Sequence, residues 1–177
     1  DTLLATRTPF LVMTNNATST PDQVAARLNG MGIAVDREQV YSSAMATTGW
    51  LQQRYPAGSR VLYVGETGLR SALEEGGFAL VDSHKDAEVV VAALDRSATY
   101  ARLAEATLAI NAGCPFVATN PDRNIPTERG IEPGAGAIQA LLEASTGVAP
   151  IVIGKPQTAF FELAIERLGC APNETVM

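Results

Sequence analysis

The residues with the most chemistry to offer are a hydroxyl and two carboxamides in a row, Thr14-Asn15-Asn16, and one ammonium much later, Lys155. The first group follows the apolar run Phe10-Leu11-Val12-Met13, which reads as a buried strand. It precedes Thr20-Pro21-Asp22-Gln23, where Thr20 is a helix N-cap, Pro21 the first helical position and Gln23 the residue three after the cap. Thr14, Asn15 and Asn16 therefore sit in the turn beyond the carboxyl end of a strand. Open α/β sheets bind ligands there, and loose backbone N–H groups at such a turn suit an anion. The same residue types also make ordinary turns. Lys155 stands in Pro150-Ile151-Val152-Ile153-Gly154-Lys155-Pro156, a short β-branched run, then one lysine, then a proline opening a helix. A lysine at a buried strand's end offers a point charge that holds a phosphate or neutralises a carboxylate. The alternative is a plain surface charge.

Positioning these groups requires an alternation of strands and helices, and the sequence carries one. Val24, Leu28 and Met31 keep a helical spacing that Gly30 or Gly32 ends. Residues 33–35 form a short apolar return. A helix is expected from Val40 to about Tyr55, closed by Pro56-Ala57-Gly58. Strands follow at 60–64, 78–81, 88–94 and 116–119, the third reading as covered on both faces. Helices are expected at 69–75, over Tyr100 to Ile110 with Gly113 as the stop, at 134–142 and at 158–168. Residues 120–133 read as a loop rich in proline and charge. This rhythm predicts an α/β fold with mainly parallel sheets.

The chain has 177 residues, enough for one sizeable domain or two small ones, and 46% are hydrophobic against 18% charged. A net charge of -6 without a Lys/Arg cluster argues against nucleic acid. No apolar run approaches the roughly twenty residues of a membrane span, and no secretory signal pattern opens the chain. Cys114 and Cys170 match no metal spacing and are expected as reduced core thiols in a cytoplasmic protein. His84, in a polar run, is expected to be a solvated loop residue. Residues 1–7 read as the last turns of a helix and 173–177 as the opening of a strand, so a piece of a longer polypeptide is expected.

Together, Thr14-Asn15-Asn16 and the distant Gly154-Lys155-Pro156 resemble motifs two and three of the haloacid dehalogenase superfamily, in its p-nitrophenylphosphatase-type branch. The stretch Thr119-Asn120-Pro121-Asp122, then Pro126, then Pro133-Gly134-Ala135-Gly136, resembles the cap signature of that branch. The resemblance implies a partial Rossmann-like core, residues 1–39 and 147–177, with an α/β cap inserted at 40–146. It implies a phosphatase acting on small phosphorylated metabolites through an aspartyl-phosphate intermediate, with Mg2+ beside the phosphate. Thr14 and Lys155 would be catalytic. Thr14, Asn15 through its backbone N–H, Asn16 and Lys155 would bind the phosphate. Asn120, Asp122 and Asp95, all following predicted strands, would meet the substrate from the cap. Pro133, Gly134 and Gly136 are read rather as shaping a tight loop and close helix packing. Ile125 stands where pyridoxal-phosphate phosphatases of the branch carry a histidine, which weakens that substrate.

The family's first motif, an Asp-x-Asp pair at the end of the first strand, is absent, and so is its fourth, a Gly-Asp with another Asp shortly after. Asp1, Asp22 and Asp82 are poor substitutes by position. No metal ligand is assigned in this chain, and taken literally the chain is expected not to turn over substrate. The alternative function is a non-catalytic cap, an assembly module or an anion-binding module. Tyr41, Trp50 and Tyr55 are expected as core or as a homo-oligomer contact through the cap rather than a cofactor box.

Overall fold

The run Val89-Val90-Val91-Ala92 is buried at every position and forms the central strand of a five-stranded parallel sheet. The computed structural model describes residues 2–6 and 8–177, so Asp1 and Arg7 lie outside the described residues. The chain opens with α1 (Thr2–Ala5), β1 (Val12–Thr14) and α2 (Pro21–Gly30), then β2 (Val40–Ser42) and α3 (Ser43–Gln52). Next come β3 (Arg60–Val64), α4 (Thr67–Glu75), β4 (Ala79–Val81), β5 (Val89–Ala92), α5 (Tyr100–Asn111) and β6 (Phe116–Ala118). The hairpin strands β7 (Asn124–Thr127) and β8 (Gly130–Pro133), α6 (Ala135–Thr146), β9 (Ile151–Val152) and α7 (Thr158–Leu168) complete it. The large sheet runs β4-β3-β5-β6-β9.

Successive strand residues point to opposite faces, and both faces here are apolar. Val61, Val89, Val91 and Val117 pack into one layer with Leu51 of α3, Leu69 and Leu73 of α4, and Phe160 of α7. Leu62, Val64, Val90, Ala92 and Phe116 pack into the other with Ala106, Ala109 and Ile110 of α5 and Leu142 of α6. Each fully buried side chain of this size contributes about 1.5–3 kcal/mol. That double cover explains why the strands read as continuous apolar runs rather than as alternating ones. A second, two-stranded parallel sheet pairs β1 with β2, and α2 covers it through Val24, Ala25 and Leu28. Thr20 caps α2 as expected, accepting from the Gln23 N–H while the Gln23 side chain accepts from the Thr20 N–H.

Three elements differ from expectation. Val40–Ser42 is a strand, and the helix begins at Ser43, because Val40 to Ser42 pair in register with Val12 to Thr14 and Ser42 Oγ caps the Met45 N–H at 3.3 Å. Within 120–133 lies an antiparallel hairpin, its alternation masked by Pro126 and Pro133. Residues 172–174 form a 3-10 turn where a strand was expected to open. The expected strand at Ile151–Val152 is present as an edge strand of the large sheet, registered against Val117 and Ala118.

His84 is half-buried rather than solvated: its backbone N–H and Nδ1 both lie 2.7 Å from Glu105 Oε2. Those bonds, the backbone one first, hold the Glu105 carboxyl below its ordinary value. Cys114 and Cys170 are free and half-buried, and burial pushes the Cys114 thiol up. Among the described residues no helix is long and apolar enough to cross a membrane. Tyr41, Trp50 and Tyr55 all pack against the first layer. Tyr41 stacks on Phe160 with centroids 5.6 Å apart, and burial pushes its hydroxyl from 10 up to about 12. The unfolded chain releases that proton near its ordinary value while the fold retains it. The stability this supplies is therefore complete below pH 10 and is lost as pH rises toward 12, at about 1.4 kcal/mol per pH unit. Chemical denaturation between pH 9 and 12 should show Tyr41→Phe losing stability less steeply than the wild type.

Candidate phosphate-binding site

Parallel strands end on the same side of a sheet, so the large sheet delivers four loops to one edge. The Ala93 N–H donates to Val64 O (2.8 Å), Thr119 N–H to Ala92 O (2.9 Å), Ile153 N–H to Ala118 O (3.0 Å) and Gly154 N–H to Thr119 O (2.8 Å). These bonds align the residues that follow β3, β5, β6 and β9. The turn after β1 meets the same edge. It is seated by Gly68 in the first turn of α4, whose N–H donates to Thr18 O (3.0 Å). A Cβ on Gly68 would stand 2.5 Å from Ser19 O and 2.6 Å from Ala17 O, so only glycine permits that approach. Between turn and loops lies a cleft of about 310 Å³. Thr14, Asn15, Asn16, Arg96, Asn120 and Asp122 form its polar wall, and Leu94, Ile125 and Ala135 are among the apolar residues beside them.

The turn is built from its own side chains. Thr14 Oγ1 accepts from the Asn16 N–H (3.1 Å), leaving the hydroxyl proton free to donate outward. Asn16 Oδ1 accepts from both Thr18 N–H (2.8 Å) and Thr18 Oγ1 (2.7 Å). Asn15 reaches across the edge: Oδ1 accepts from Lys155 N–H (2.9 Å), and Nδ2 donates to Lys155 O (3.1 Å) and Asp122 Oδ2 (3.1 Å). Its backbone carbonyl accepts from Ser43 Oγ (2.7 Å) and Asn120 Nδ2 (2.9 Å). Lys155 Nζ donates to Met13 O (3.1 Å), one residue before Thr14, and an ammonium has two further donors. The two distant motifs are thus brought together on one edge.

The cap-side candidates divide. Asp122 is exposed on the cleft wall. Asn120 is buried, with Nδ2 also donating to Thr119 Oγ1 (3.2 Å) and Oδ1 accepting from the Asp122 N–H (3.2 Å), so its side chain is spent on protein groups. The structure does not bring Asp95 to the cleft. Its Oδ1 turns back to accept from Ser97 N–H and Oγ, both 2.8 Å, as short carboxylates do in local turns. Its neighbour Arg96 takes the wall position, held by Glu66 through Nη1 contacts of 3.2 and 3.0 Å and a backbone bond of 3.1 Å. Sequence reasoning missed Arg96 as the wall residue and Ser43 altogether, since one-residue offsets and a serine hydroxyl carry no local signal. Gly134 and Gly136 serve packing: a Cβ on Gly134 would collide with Asp122 O, and one on Gly136 would lie 2.5 Å from Pro121 O.

Two carboxylates weighed as nucleophiles are engaged elsewhere, Asp22 with Arg37 (3.2 Å) and Asp82 with Arg102 (2.7 Å). Among the described residues no group of three or more His, Cys, Asp or Glu could hold a metal ion.

Residues 1–79 match the family model of haloacid dehalogenase-like hydrolases. The chain is 41% identical to a thermostable NPPase double mutant from Geobacillus stearothermophilus, with a TM-score of 0.95 over 99% of this chain and 70% of that one. The chain belongs to the haloacid dehalogenase-like hydrolases. Its fold is theirs, a Rossmann-like core with an α/β cap. A second relative, the 5'-nucleotidase YutF of Bacillus subtilis, is 43% identical over 169 residues, 96% of this chain and 65% of that protein. The chain thus spans about two thirds of that relative's length. A third is the glycerol phosphate phosphatase Rv1692 of Mycobacterium tuberculosis, in complex with magnesium. It is 39% identical, with a TM-score of 0.87 over 91% of this chain and 49% of that one.

In this haloacid dehalogenase-like site the residue before Lys155 must be small. A Cβ on Gly154 would stand 2.8 Å from Asn15 Oδ1 and collide with Thr119 O. Gly154→Ala should therefore cost about 1–3 kcal/mol, measured by chemical denaturation. Gly49→Ala, whose Cβ meets only Leu163 Cδ2 at 3.7 Å, should be neutral or stabilise α3 by about 0.5–1 kcal/mol.

Proposed function

We propose that this chain forms the phosphate grip and the cap of a phosphatase, a phosphoric monoester hydrolase acting on small phosphorylated metabolites. The observation that carries the reading is the meeting of the Thr14 turn, which lines the small cleft, with the Lys155 loop beside it: Asn15 bonds the N–H and the C=O of Lys155, and Lys155 Nζ reaches Met13 O. Its volume of about 310 Å³ lies at the lower end of the range for small-molecule sites, about 300–1,000 Å³. In the proposed reaction a carboxylate oxygen attacks phosphorus, the ester P–O bond breaks, and the leaving alkoxide takes a proton from the general acid. Water then hydrolyses the aspartyl-phosphate. Thr14 donates its hydroxyl to a phosphoryl oxygen and Lys155 offsets the charge that develops there.

The nucleophile, the general acid/base and the Mg2+ ligands belong, in this proposal, to residues outside these 177. Residues 1–39 and 147–177 contribute to the core and 40–146 to the cap, with β9 as the strand through which the chain leaves the cap sheet. A cytoplasmic location, with no nucleic acid or membrane partner and a homo-oligomer contact through the cap, belongs to the same proposal. The competing reading is a non-catalytic cap, assembly or anion-binding module, which the same Thr14, Asn15 and Lys155 contacts would serve without a nucleophile.

Hydrolysis of p-nitrophenyl phosphate with Mg2+ separates the two, measured on the 177-residue chain and on a longer polypeptide that includes the flanking coding sequence. Turnover by the longer polypeptide alone supports the phosphatase; if both are inert, the module reading stands. In the active form Lys155→Ala should lower kcat by about 100-fold or more. Thr14→Val should raise KM and lower kcat while the melting temperature stays within a few degrees.

A further inference from the structure

The Asn15 carboxamide has no ambiguity of orientation. Only its oxygen can accept from the Lys155 N–H, and only its nitrogen can donate to Lys155 O and Asp122 Oδ2. Both N–H groups are consumed by these acceptors, so the side chain keeps no donor for a bound anion. Gly154 clears the space that lets the amide lie against the Lys155 peptide group. Ser43 Oγ and Asn120 Nδ2 fix the backbone of the same residue from the other side. These bonds hold Asn15 on both sides, and the residue whose peptide group it grips carries the ammonium that reaches Met13 O (3.1 Å).

We propose that Asn15 is a positioning residue that acts through Lys155: its carboxamide sets where the ammonium stands beside the Thr14 turn, and Asp122 is the anchor of that carboxamide. The inference rests on the phosphatase reading in taking phosphate as the ligand whose grip is controlled. Without the carboxamide the Lys155 peptide group loses both partners. The ammonium is then left with Met13 O alone to hold it at the turn, and a point charge anchored by one bond no longer meets the anion in one geometry. Asp122 exerts its effect at one remove, by holding Asn15 Nδ2.

The test is a double-mutant cycle on the 177-residue chain, read as affinity for inorganic phosphate by calorimetry and as amide hydrogen exchange at Lys155 by NMR. Asn15→Ala should weaken phosphate binding about tenfold and remove protection from the Lys155 amide. In a Lys155→Ala background the same change should cost nothing further. Asn15→Asp removes both donors and sets a carboxylate against Asp122, so it should bind phosphate more weakly still. Adding Asp122→Asn restores a donor facing position 15 and should recover part of that loss, which keeps the test decisive if the alanine variant folds poorly. Losses that multiply in the double variant, or an unchanged Lys155 exchange rate in Asn15→Ala, overturn the proposal. Absence of phosphate binding by the wild-type chain would instead overturn the phosphatase reading, and the exchange measurement would still decide whether Asn15 places Lys155.

Discussion

The hydrogen bonds between the Asn15 carboxamide and the Lys155 peptide group join residues 140 positions apart, so they depend on the tertiary fold and on no local pattern. Each such bond adds only about 1 kcal/mol net, too little to draw those segments together. Burial of the large sheet supplies the larger energy that does so. Once β6 and β9 are paired, Gly154 lies against Thr119 and the Lys155 N–H is presented to whatever stands opposite. The site is a product of sheet assembly, and its polar groups complete a geometry that apolar packing has already imposed.

Parallel topology has a second consequence. Because β3, β5, β6 and β9 all run the same way, their exits gather the half-buried Glu66 with its exposed partner Arg96, the buried Asn120, the exposed Asp122 and Lys155 at one edge. The loops are held by small residues as much as by polar ones. Gly68 lets α4 sit on the carbonyls of Ala17 and Ser19, while Gly134 and Gly136 let α6 approach Pro121 and Asp122. A methyl group at any of these points would push a loop away from the cleft by more than a hydrogen bond tolerates.

Membership of the haloacid dehalogenase-like hydrolases is consistent with this division of labour between a scaffold and the side chains on its rim. The scaffold superposes on the NPPase at a TM-score of 0.95 although 41% of the residues are identical. What can vary at little structural cost is the wall. Ile125, on the hairpin of β7 and β8, and the ion-paired Arg96 present an apolar and a cationic surface to the same small space.

Much of the fold was legible because its signals are local. The Thr20–Gln23 capping box, the helical spacing through α5 and α7, and the buried runs at β3, β5 and β6 are written within a turn or two of chain. The turn at Thr14 and the lysine at Lys155 were legible for the same reason, as the ends of apolar runs. Partners are not local. Val40 to Ser42 became a strand because β1 lay beside them, and Ile151–Val152 joined the large sheet because Val117 and Ala118 offered a free edge. A one-residue offset at the end of β5 decided that Arg96 rather than Asp95 lines the cleft, and a buried network turned Asn120 into a tie between loops. The sequence by itself determined which residue types stand at strand ends, since hydrophobic periodicity sets where each strand stops. Only the tertiary structure decided which of those ends meet, because hydrogen bonds across 105 to 142 residues depend on packing that no local pattern encodes.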